Sequence, residues 1–127
     1  MALKKEPSKI PSESVAAYDR LIASSPKIER KGVMLPYTSL NGHMFSFLSE
    51  SGAMALRLPA VARQAFLVKY KTTLFESHGA LMKDYVRVPG SLLNNTRELK
   101  KYLDLSYEYV KTLKPKPVKK APTRRSS

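Results

Sequence analysis

Gly32–Leu58 reads GVMLPYTSLNGHMFSFLSESGAMALRL. Two apolar runs, Val33–Leu40 and His43–Leu48, flank Asn41-Gly42, and a third, Ala53–Leu58, follows the polar Ser49-Glu50-Ser51-Gly52. Asn-Gly between β-prone runs is the strongest local hairpin signal, because both central residues of a type I′ turn need positive φ. The second Gly-containing connection adds another hairpin, so three antiparallel strands follow one another here. In the second strand His43, Phe45 and Phe47 alternate with Met44, Ser46 and Leu48, which predicts one aromatic face and one mixed face. In the third, Met54, Leu56 and Leu58 form the core face, and Arg57 is expected to look outward. Pro36 cannot donate a ladder bond, so the first strand is an edge there or is broken near Leu35-Pro36. An edge would leave backbone groups open to a partner strand.

Outward from this meander the pattern turns helical. Before it, Val15, Tyr18, Leu21 and Ile22 recur at helical spacing, with Ser12 or Ser14 as the expected N-cap and Ser24-Ser25-Pro26 as the stop. After it, Pro59 suits a first helical turn, and the helix should cover Pro59–Tyr70. Val61, Ala65 and Val68 are its expected buried stripe, with Phe66 and Tyr70 at the border and Arg63, Gln64 and Lys69 in water. Thr73–Glu76 and Met82–Val88 form a second hairpin around Ser77-His78-Gly79, and Pro89-Gly90 ends it. Asn95 followed by Glu98 resembles a capping box, and Leu99, Tyr102, Leu103, Val110 and Leu113 carry a stripe through Ser106. That helix spans about 18 residues, or roughly 27 Å.

The order α-β-β-β-α-β-β-α predicts an α+β fold, a two-layer sandwich with an antiparallel sheet covered by helices. One domain is expected over 12–113, between a flexible N-terminus, 1–11, and a disordered basic tail, 114–127. The net charge is +13, yet the tail alone holds six of the 23 Lys and Arg and no acid. The folded part is therefore only moderately basic. With no Cys, a disulfide framework, thiolate metal ligands and a Cys nucleophile are excluded. No apolar leader or run long enough to span a bilayer is present, which points to a cytoplasmic protein without membrane contact.

Little in the chain suggests catalysis. His43 follows a turn and His78 lies within one, so both are expected to be solvated. A metal site joining them with Glu50 or Glu76 would require two hairpins to converge, which the spacing does not demand. No nucleophile elbow, HExxH or phosphate loop occurs, and Glu76 and Asp84 read as strand-edge carboxylates. The expectation is no enzyme, no catalytic residue, no cofactor, no metal and no small-molecule ligand. Lys114, Lys116, Lys119, Lys120, Arg124 and Arg125 could neutralise phosphates, giving weak, salt-sensitive nucleic-acid contact. Arg30, Lys31 and Arg57 are candidate helpers. Phe45 and Phe47 lack interleaved Lys or Arg, so both are assigned to the core, although an open face bearing them would stack bases. Tyr102 fits the buried stripe of the last helix, while Tyr107 and Tyr109 sit off its centre as candidate partner contacts.

Arg30-Lys31-Gly32-Val33-Met34, Tyr37–Phe45 around Asn41-Gly42, Met54–Leu58 and Asp84–Pro89 before a long last helix together resemble the N-terminal domain of the TfoX/Sxy family. The resemblance runs from Arg30 to Lys114 and is structural. It implies this α+β fold and a regulatory, protein-binding role in bacteria, with a homodimer or a protein partner. It supplies no catalytic residues. Val33-Met34-Leu35-Pro36 lacks the family's Phe-Gly, and the C-terminal helical domain of the longer regulators is expected to be absent.

Overall fold

The meander forms around the predicted turn. Asn41 and Gly42 have φ of 55° and 82°, as a type I′ turn demands, and they join β1 (Tyr37–Leu40) to β2 (His43–Leu48). A computed structural model describes residues 10–32, 35–77 and 79–114. β3 (Met54–Arg57) completes the meander, and α1 (Ser12–Ala23) precedes it. Then come α2 (Ala60–Lys69), β4 (Leu74–Ser77), β5 (Ala80–Val88), α3 (Gly90–Leu93) and α4 (Thr96–Lys111). The fold is α+β, an antiparallel sheet with helices against it, as the element order implied. One turn of helix, α3, was not anticipated. Pro89 accepts from the N–H groups of Leu92 and Leu93 there, and both leucines are buried.

The five strands lie in the order β1-β2-β3-β5-β4, so the second hairpin enters the sheet through β5. β1 is an edge, in keeping with Pro36. The core contains Leu48, Met54, Leu56, Val86 and Val88 from the sheet, with Tyr18, Leu21, Phe66, Leu92, Leu99, Leu103 and Val110 from all four helices. All helices therefore pack on one face. Two local expectations fail at helix starts and stripes. α1 begins on Pro11, whose carbonyl accepts from Ser14 and Val15, and no side chain caps it. On α2, Val61 is 86% exposed and Val68 77%, whereas Phe66 is buried and stacks on Tyr70 and Tyr102 at 4.7 and 5.0 Å. Aromatic rings remove more apolar area from water than valines, so they decide the orientation of the helix. The Asn95 cap forms as predicted, accepting from the Glu98 N–H at 3.3 Å.

The second strand does not alternate simply. Thr38 pairs with Ser46 but Ser39 pairs with Met44, so Phe45 is an extra residue, a bulge. Phe45 and Ser46 are both buried on the helical side, and Phe47 faces away. Phe45 meets Tyr107 edge-on at 5.9 Å. Beside it the Tyr18 hydroxyl lies 2.7 Å from Ser46 Oγ, which is 2.6 Å from Thr38 Oγ1. Three buried hydroxyls thus satisfy one another.

Burial pushes the Tyr18 hydroxyl up to about 12, against the pull of its Ser46 and Thr38 hydrogen bonds. A raised pKa favours the protonated fold, so this stability is complete below the unfolded value near 10. It is lost as the pH rises from there through about 12. Tyr18→Phe should cost about 1 kcal/mol at pH 8 through the lost hydroxyl bond. Between pH 9.5 and 12 the wild type should lose roughly 2 kcal/mol relative to the variant, which reverses the order of stability. Urea unfolding of both proteins across that range checks this, and parallel pH profiles would contradict it.

Candidate functional site

The sheet face away from the helices has its own aromatic centre. Phe47 on β2, Ala55 on β3 and Arg87 on β5 are cross-strand neighbours in one row. A flat sheet would hold β2 and β4 about 14 Å apart, three strand spacings. Yet the rings of Phe47 and Phe75 of β4 lie 5.1 Å apart, edge to face. Twist and a break in the β4–β5 register between Leu74 and Phe75 bring them together over the small, buried Ala55. Tyr85 adds a third ring 5.9 Å from Phe47 and donates its hydroxyl to Met44 O at 2.6 Å. Burial pushes the Tyr85 pKa up. The Arg87 guanidinium lies over Phe75 at 5.9 Å.

Between β4 and the start of the meander this arrangement leaves a cleft of about 320 Å³. Phe47, Phe75 and Leu35 form its apolar part, Arg87 one wall, and Ser49, Glu50, Ser51, Glu76 and Ser77 its polar rim. The two sheet edges nearby differ. On β1 the outer side is occupied, because Lys31 and Tyr37 exchange backbone bonds of 2.8 and 3.0 Å, and Lys31 Nζ donates to Ser39 Oγ at 3.0 Å. The edge expected on β1 is therefore taken at Tyr37. Among the described residues nothing pairs with the outer side of β4.

The residues singled out in the sequence go to several places. Lys114 is exposed, and its carbonyl accepts from His43 Nε2 at 2.6 Å. Lys116, Lys119, Lys120, Arg124 and Arg125 lie outside the described residues, as does His78. His43 was expected in solvent. It is half-buried, pinned by that bond, with Nδ1 buried and unpartnered. Arg57 does not point into open solvent either. Its side chain is 17% exposed, lies over Tyr109 at 5.8 Å and meets Asp84 at 3.6 Å. Arg63 joins Asp84 at 3.5 Å and donates to Leu58 O at 2.8 Å. Arg30 is engaged by Asp19 at 3.1 Å. Tyr107 and Tyr109, candidate partner contacts, are half-buried and used internally, Tyr107 against Phe45 and beneath Lys27 and Lys111 at 5.0 and 5.9 Å. Phe47 is not in the helical core as assigned but in the cleft, because of the bulge.

As for catalysis, Asp84 is held by two arginines while Glu76 sits at the cleft rim, so the two have different neighbours. Among the described residues no group of three His, Cys, Asp or Glu could hold a metal ion. The densest polar group is around Glu98, which accepts from the Tyr70 hydroxyl at 2.6 Å and meets Lys101 and Lys69 at 3.4 and 3.5 Å. The hydrogen bond from Tyr70, then that from Lys101, holds the Glu98 carboxyl below its ordinary value. Tyr70 is pushed up, by desolvation first and then by its bond to Glu98. This knot ties α2 to α4.

No protein-family model matches the chain, and no curated protein or solved structure matches it. Phe75, Ala55 and Arg87 were not recognisable as site residues in the sequence. Their signal, alternation in three separate strands, becomes one site only when β5 is known to lie between β3 and β4. If Ala55 is what lets the rings meet, Ala55→Leu should drive Phe47 and Phe75 apart and destabilise the fold by about 1–3 kcal/mol. Urea unfolding, with the near-ultraviolet signal of the aromatics, measures it. A neutral substitution would show that the rings do not depend on that gap.

Proposed function

We propose that this chain is a non-enzymatic regulatory domain of TfoX N-terminal type, working in the cytoplasm through protein–protein contacts. The observation that carries this is apolar surface without cover. Single exposed apolar residues are ordinary, but Val61, Ala65 and Val68 follow one another at helical spacing along the outside of α2, and all three are exposed. No Asp or Glu lies on that helix, and its two cations, Arg63 and Lys69, are paired with Asp84 and Glu98 rather than with anything on the exposed stripe. Leu35 and Leu81, 49% and 60% exposed, are further apolar side chains without cover, Leu35 at the cleft on the other side of the sheet. The sequence resemblance supports the regulatory role, and the lack of a helix among the described residues able to cross a membrane accords with the compartment.

The test uses the full chain. Sedimentation velocity and cross-linking in bacterial extract should reveal a dimer or a defined protein partner. Val61→Asp with Val68→Asp, at solvent-facing positions, should weaken that association at least tenfold while leaving the circular dichroism unchanged. A monomer that cross-links to nothing overturns the proposal.

A second function, sequence-independent nucleic-acid association, is favoured by one feature. The basic residues of 115–127 follow Lys114, which is exposed and close in sequence to Lys111, and Lys111 with Lys27 flanks Tyr107. Counterion release would make such binding fall steeply with salt. Deleting residues 115–127 should abolish retention on nucleic acid at low salt, and undiminished retention contradicts the tail's role.

A further inference from the structure

We propose that the cleft beside β4 is a docking site for an extended peptide from a partner protein, which pairs with the free edge of β4. An apolar side chain of that peptide rests on Phe47 and Phe75, and a neighbouring Lys or Arg meets Glu50 and Glu76. This rests on the protein-binding function above and names the chemistry of the partner.

Three independent observations converge on it. The first is backbone. In an antiparallel pair, alternate residues of an edge strand direct N–H and C=O away from their neighbour. Phe75, Glu76 and Ser77 line the cleft, so a strand added to that edge runs beside it, within side-chain reach of its rim. Main-chain bonds then supply affinity, and the pocket for alternate side chains supplies selectivity.

The second is shape. About 320 Å³ is at the small end of ligand pockets, enough for one large side chain rather than a cofactor. Its floor is the partly exposed Phe47, held edge to face against Phe75, which is only 3% exposed and fixes the Phe47 ring in place for an incoming side chain. Arg87, stacked on Phe75 and without an ion-pair partner among the described residues, supplies donors for a peptide carbonyl.

The third is charge. Asp19, Asp84, Glu98, Asp104 and Glu108 each pair with Lys or Arg. Of the described acids only Glu13, Glu29, Glu50 and Glu76 have no such partner, and two of these four stand at the rim of this cleft. In a chain of net charge +13, carboxylates left free are notable, and a basic residue on the ligand complements them. A second copy of the chain is disfavoured by the same groups. Antiparallel pairing of β4 with itself across a two-fold axis would bring the Glu76 carboxylates toward each other.

The experiment selects a displayed random heptapeptide library against the full chain, then measures the enriched peptides by fluorescence anisotropy and amide chemical shifts. Enrichment of sequences with a bulky apolar residue beside Lys or Arg is expected, with shifts at Leu74–Ser77. Glu50→Lys with Glu76→Lys, both at exposed positions, should weaken these peptides at least tenfold, and Val61→Asp with Val68→Asp should not. No enrichment, enriched acidic peptides, or binding insensitive to the Glu50 and Glu76 changes overturns the proposal. Peptide binding that appears only after residues 1–9 are removed overturns it too, by making the chain's own N-terminus the occupant. A partner lost in the α2 variant and retained in the Glu50/Glu76 variant sinks the peptide site while protein binding through α2 stands. Absence of any partner for the unmodified chain sinks the broader function.

Discussion

One extra residue in β2 determines what each face of the sheet can do. Side chains alternate along a strand, so without the bulge at Phe45 both phenylalanines would share a face. With it, Phe45 goes under α4 and Phe47 goes to the far side. The bulge has a cost, since an unpaired residue loses ladder hydrogen bonds. Part of that cost is met from α4, where Ser106 Oγ donates to the Phe45 carbonyl at 3.5 Å. A fully buried serine in the apolar stripe of α4 is otherwise hard to explain. On the next residue, Ser46, the hydroxyl is taken by Tyr18 and Thr38. The polar atoms that the bulge leaves near the core therefore have partners on two helices and a neighbouring strand, and these contacts fix where α1 and α4 sit.

The charges are arranged around the same frame. Exposed ion pairs contribute only about 0–1 kcal/mol each, so their number says little about stability. Their positions say more. Asp84 gathers Arg57 and Arg63 at the end of β3 and the start of α2, and Arg57 then lies over Tyr109 of α4. Glu98 joins α2 to α4 through Tyr70 and Lys69, and Asp104 joins α4 to the loop after α1 through Ser25 Oγ at 2.7 Å. Each of these acids stands at a junction between elements. The three cations of the folded part named as helpers for nucleic acid are engaged too, Arg30 and Arg57 by carboxylates and Lys31 by the Ser39 hydroxyl.

Where the sequence was informative, the signal was local and the physics short-ranged. The Asn41-Gly42 turn, the Asn95 cap, the α1 stripe and the core face of β3 all depend on a few neighbouring residues, and all appear as read. α2 was misoriented because two stripes compete on it. Val61, Ala65 and Val68 satisfy helical spacing, and so do Ala62, Phe66 and Tyr70; only the presence of Tyr102 on α4 decides between them. The cleft was illegible for a similar reason. Phe47 and Phe75 are 28 positions apart, and their meeting depends on a bulge, a small residue at 55 and the insertion of β5 between β3 and β4. None of these three can be read from a window of neighbouring residues. The exposure of Val61 and Val68 could have been suspected from the absence of polar residues on only one side of α2, since two apolar faces on a short helix rarely both find cover.

The two ends of the sheet show how selectively an edge can be guarded. An exposed edge invites pairing with any strand, and proteins blunt edges with short strands, charges or a covering segment. At β1 the device is a covering segment: Lys31 pairs with Tyr37 and its ammonium reaches Ser39. At β4 the device is a short strand, four residues, with a carboxylate at Glu76 and another at Glu50 across the cleft. A covering residue takes the backbone groups it pairs with from every partner, whereas charge excludes only some partners. Like-charged edges, including that of a second copy, are repelled from β4, while a basic strand is not. The same device that protects the protein from pairing with itself thus gives its remaining edge a preference in what it admits.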